Sequence, residues 1–166
     1  YSLLGDFRNA QKKIPVFALQ GQHPGYYFYG VYLPLVQKIG GIQAVKDAFN
    51  LKEGAWEHDA FLEAAEITAS LKDEGYLLKG TLSLSHIEAQ TQFFQGNALF
   101  TPAGTWLEGE MQDVIPDDFE LRATNQPGWT AQSEEENNAA PITSGWGGAF
   151  YIPAKAQNPD LAADFL

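Results

Sequence analysis

The sequence predicts an α/β fold, because short apolar runs alternate with longer stretches of helical periodicity, and glycine or proline punctuates most of the changes between them. The runs are Ile14–Leu19, Ala98–Thr101, Phe119–Ala123 and Ala149–Ile152, each too short for a helix and each suited to a buried strand. With 166 residues the chain can bury one sizeable core, and nothing in its composition demands a second.

Taken in order, residues 1–13 read as a connector of mixed charge, followed by the first strand with Pro15 near its start, where a lost N–H is tolerated. Gly21 to Gly25 form a loop. From Tyr26 to Ile39 an aromatic-rich helix runs to Gly40-Gly41, which should end it, and Pro34 should kink or split it. Ile42 to Trp56 are less regular. Asp59 to Glu74 return to helical spacing, with Asp59 as the cap and Gly75 as the stop, and Gly80 to Leu84 read as extended.

The segment Ala89 to Met111 and the residues just before it carry the densest local code. Ser85 and Glu88 have the spacing of a capping box, and Gly96 fits the left-handed position that ends the helix. Thr105 and Glu108 repeat the box, which predicts a second helix start around Gly104 and Trp106, where unpaired N–H groups can face ligand oxygens. Residues 124–141 read as a polar surface loop, with the run Glu134-Glu135-Glu136 expected on a solvated face. Asn158 followed by Pro159 starts a last helix.

A net charge of −11 and a pI near 4.5 argue against nucleic acid and anionic membrane as partners, since both need clustered lysine and arginine. With no cysteine there are no disulfides, no thiolate metal ligands and no thiol nucleophile. No apolar run approaches the ~20 residues of a membrane span. His86 and Glu88 alone do not make a metal site, no Gly-rich phosphate loop or nucleophile motif is present, and no cofactor is implied.

What remains is chemistry suited to sugars, whose faces are apolar and whose edges carry hydroxyls. Trp106, at an exposed first helical turn, can supply the flat plate, and Trp146 lies in a glycine-rich setting with Gly147 where a ligand can approach backbone closely. Gln20, His23, Tyr26 and Tyr27 follow the first strand, and open α/β sheets bind ligands beyond the carboxyl ends of their strands. Glu108 and Glu110 offer carboxylates, but residues two apart on a helix point in opposed directions, so they cannot flank one glycosidic bond as an acid and base.

Three separated stretches in a fixed order carry a family resemblance: Ile14–Gln20 with the aromatic cluster and Gly40-Gly41; Gly96–Met111; and Gly147–Ala154 leading to Asn158–Leu166. Together they resemble the family 1 extracellular solute-binding proteins of ABC importers, and Glu108–Met111 resembles its actinobacterial carbohydrate and N-acetylglucosamine subgroup. The resemblance implies a type II periplasmic-binding-protein-like lobe, a three-layer α/β/α sandwich with a mixed sheet, and aligns Trp106 with the stacking tryptophan. It also implies that residues 1–166 are mainly the C-terminal lobe of a two-lobed protein, a fragment. Its ligand would be a small carbohydrate, held without catalysis and delivered to a membrane permease by a monomer. Such a protein is extracytoplasmic, periplasmic or lipid-anchored. Two rivals differ in class: a carbohydrate-active enzyme, which needs a separated carboxylate pair, and an interaction module using the tyrosine-rich helix, which needs a stable partner.

Overall fold

A computed structural model describes residues 14–124 and 152–165. Among the described residues the architecture is helical, with no strand or sheet, which overturns the expected three-layer α/β/α sandwich. The helices are α1 (Pro24–Tyr27), α2 (Leu33–Phe49), α3 (Asp59–Asp73), α4 (His86–Phe94), α5 (Leu107–Glu110) and α6 (Pro159–Phe165).

Extended pairing survives only as isolated bridges with a few backbone hydrogen bonds around them, joining Pro15 to Ala18 with Tyr76, Leu78, Leu99 and Phe100. Phe17 forms isolated parallel bridges with Leu77 on one side and Phe100 on the other. The reason the ladder stops there lies in threonine side chains that take the positions a neighbouring backbone would hold. The Thr81 hydroxyl accepts from the Leu19 N–H at 2.6 Å and donates to the Leu19 carbonyl at 2.9 Å, and the Thr101 hydroxyl donates to the Ala18 carbonyl at 3.1 Å. With those groups satisfied by side chains, continued pairing has nothing left to bond. Gly80 to Leu84, expected to be extended, instead contain a 3-10 turn at Thr81–Ser83. Phe119 to Ala123 form no strand; Phe119 and Leu121 pack against Phe94, Leu107 and Met111. Ala149 to Tyr151 lie outside the described residues, and Ile152 is in no strand.

Pro34 does not split the aromatic helix; the chain stays helical through it, and its disruption is confined to the turn ahead of the proline. A widened π turn covers Phe28–Tyr32, closed by the Leu33 N–H bonding back to the Phe28 carbonyl, directly before the proline that has no N–H to give. Gly41, at φ +77°, breaks the helical path within α2, which then resumes and runs to Phe49 through residues expected to be irregular. At Gly40 an added Cβ would lie 2.7 Å from the Ala60 methyl, so α2 and α3 approach closely there. Leu35, Val36, Ala48, Phe61, Ala64 and Ile67 form the core between them.

His58 rather than Asp59 caps α3, its Nδ1 accepting from the Ala60 N–H at 3.1 Å. Gly75 ends the helix at φ +73°, with its own N–H bonding Lys72 O and the Tyr76 N–H bonding Leu71 O. That is a Schellman ending, and Tyr76 and Leu71 meet in one core cluster with Val16, Phe17 and Leu19, as its hydrophobic contact requires. The Ser85–Glu88 capping box of α4 is present as expected, and Gly96 ends that helix in the same way as Gly75.

Candidate functional site

The three extended segments run parallel, so the loops that leave their carboxyl ends emerge on one side. These loops are Gln20–His23, Thr81–Ser85 and Thr101–Trp106. The first is fastened to the third by Gln20, whose Nε2 donates to Thr101 Oγ1 at 3.0 Å and to the Pro102 carbonyl at 2.6 Å. It is fastened to the second by Gln22, whose Nε2 donates to the Ser83 carbonyl at 2.7 Å. A Cβ at Gly21 would collide with the Leu82 backbone, so the first two loops touch main chain to main chain.

The result is a corner of four rings. Tyr26, in α1, lies parallel to His86, the first residue of α4, with centroids 6.0 Å apart and planes 10° apart. His23 meets His86 edge to face at 5.1 Å and Tyr26 at 6.4 Å. Trp106, just before α5, stands edge-on to Tyr26 at 6.1 Å. Its indole lies over Gly104, where any side chain would strike the six-membered ring. Glu110 completes the group from α5, its Oε1 at 3.3 Å from His86 Nε2, with both side chains 31% exposed. Burial raises the Tyr26 phenol above its usual range and the Glu110 charge adds to the rise, while a hydrogen bond with Trp106, whose indole N–H can only donate, opposes both. The corner therefore presents flat rings, imidazole nitrogens and one carboxylate within a single contact network.

Sequence comparison bears on this geometry, with 23% identity over 153 residues to one curated protein. The chain is similar to a diacetylchitobiose binding protein. That relative is NgcE of Streptomyces coelicolor; the match covers 92% of this chain and 32% of the relative, so the chain spans about a third of its length. No protein-family model and no solved structure matches the chain. The relative is named for binding rather than for catalysis.

Of the residues singled out from sequence, His23, Tyr26, Trp106 and Glu110 are brought together. Gln20 is fully buried behind the corner as its tie, with Oε1 lacking a hydrogen-bond partner. Tyr27 turns into the core beside Phe17 and Leu71, hydrogen-bonded to Thr68, and burial raises its phenol against the opposing effect of that bond. Glu108 is exposed on α5. The expected Thr105–Glu108 box does not form: Trp106 occupies the cap position and no side chain caps this four-residue helix. Trp146 and Gly147 lie outside the described residues. His86 is the member that the sequence offered only as a metal ligand with Glu88; its place beside His23 and Tyr26 comes from contacts across sixty or more positions. Among the described residues no group of three or more His, Asp or Glu could hold a metal ion.

Proposed function

We propose that this chain is a lobe of the extracytoplasmic, sugar-binding subunit of an ABC importer, which holds a carbohydrate between two lobes and hands it to a membrane permease. The observation that carries the reading is the corner itself: Trp106, Tyr26 and His86 offer ring surface for a pyranose, with Glu110 and His23 at its edge. The resemblance to a diacetylchitobiose binding protein supports the same ligand class. Nothing in the corner calls for bond cleavage, since Glu110 is its single carboxylate among the described residues and its neighbour is an imidazole.

Burying one sugar face, roughly 40–60 Å², gives about 1–1.5 kcal/mol. One charge-assisted hydrogen bond adds roughly 1.5–3 kcal/mol. The sum of about 2.5–4.5 kcal/mol corresponds to affinity of the order of a millimolar to ten millimolar, and a second lobe that excludes water would supply the rest. The test is a thermal-shift titration of the chain with mono- and oligosaccharides up to tens of millimolar. At about ten times Kd the expected stabilisation is about 1.4 kcal/mol, visible as a rise in Tm. Stabilisation by peptides or other solutes and by no saccharide would remove the assignment.

A further inference from the structure

We infer that the aromatic corner selects a saccharide carrying a protonated amine over its neutral, acetylated counterpart. This rests on the carbohydrate-binding reading and names the ligand class more narrowly than that reading does. Two features of the corner point the same way. Glu110 brings a formal negative charge, and the partner at 3.3 Å from its carboxylate is the imidazole of His86 rather than a lysine or arginine. The surrounding surface is π-rich: the indole of Trp106 is 37% exposed and meets Tyr26, which is stacked on His86. Ring faces and a carboxylate are the combination that recognises organic cations, with tryptophan the strongest ring.

The influence of Glu110 extends past its contact with His86, since its charge contributes to the raised phenol of Tyr26 across the corner. An acetamide brings one N–H donor to such a site. An ammonium brings three donors and a full positive charge, which the carboxylate and the ring faces both attract. The chain's overall charge of −11 adds a long-range attraction for cations and none for neutral sugars.

The experiment compares diacetylchitobiose with the same disaccharide bearing two free amines, by calorimetric titration of the chain near neutral pH, at about 20 mM and about 300 mM salt. The expected result is about three- to tenfold tighter binding of the amino form at low salt, narrowing at high salt. Glu110→Gln, a conservative change at a part-exposed site, should abolish the preference while leaving the circular dichroism of the chain unchanged. Equal or tighter binding of the acetylated form, with no salt dependence, would overturn the inference and leave the sugar-binding reading standing. A preference that persists in Glu110→Gln would also overturn it. Failure of both disaccharides to bind would overturn the reading and the inference together. The salt dependence of the unaltered chain decides the matter even where the variant folds poorly.

Discussion

Gly104→Ala isolates the position of the Trp106 ring from every other property of the chain. Gly104 is not in a left-handed conformation, so an alanine there meets no backbone penalty. What it meets is the Trp106 indole, whose ring carbons occupy the space a methyl group needs. The ring is the far end of a rotatable side chain and is 37% exposed, so it swings away at small cost to folding. Its edge contact with Tyr26 is then lost, and with it the plate for a sugar face. The loss is that of about 40–60 Å² of apolar contact, about 1–1.5 kcal/mol, which weakens saccharide binding roughly five- to thirteenfold. The assay is sugar titration followed by tryptophan fluorescence, with urea unfolding as the control for stability. Gly109→Ala serves as a matched variant, because nothing lies within 4 Å of its Cβ position and affinity should stay unchanged. Gly104→Ala with unaltered fluorescence and unaltered affinity would refute the steric reasoning.

Thr81→Val removes the hydroxyl that serves both backbone groups of Leu19 in a buried position, and about 2–3 kcal/mol of stability should be lost in urea denaturation. Leu71→Ala opens a cavity among Val16, Phe17 and Tyr76 and should cost about 2–5 kcal/mol by the same measurement. The Ser85 backbone N–H and then its hydroxyl hold the Glu88 carboxyl below its usual range, so its contribution to stability is full above the unfolded carboxyl's pKa, about 4.3. That contribution disappears as pH falls through the lower folded value. Glu88→Gln should therefore flatten the acid limb of a stability-versus-pH curve measured by thermal melts, and Ser85→Ala, which keeps the backbone N–H, should reduce it only in part.

Local signals were legible where one short segment decides its own structure. Ser85 with Glu88, Gly75, Gly96 and Asn158 with Pro159 all specify caps through bonds within a few residues, and the structure forms helix ends at each. Pro34 announced a disruption, and the π turn before it is the form that disruption took. The strands were not legible, because the bonds of Val16–Leu19 go to distant partners, the backbone of Tyr76, Leu78 and Phe100 for the first residues and the hydroxyls of Thr81 and Thr101 where the pairing ends. Apolar runs report burial, and Val16 to Leu19 are indeed buried, but burial alone does not specify a ladder. Thr105–Glu108 had the right spacing for a box and lacked the helix length to use it. Within the site, aromatic residues in loops drew attention to His23, Tyr26 and Trp106, whereas the role of His86 arises from a contact with His23 across 63 positions, which no local pattern encodes.

Saturation-transfer NMR of the chain with chito-oligosaccharides tests the central claim most directly, because it reads which sugar protons touch protein even at millimolar affinity. Magnetisation should pass most strongly to the C–H protons of one pyranose face, and Trp106→Ala should abolish that pattern while the variant stays folded. Absence of transfer, or transfer unchanged in Trp106→Ala, would contradict the assignment of the corner as a saccharide site.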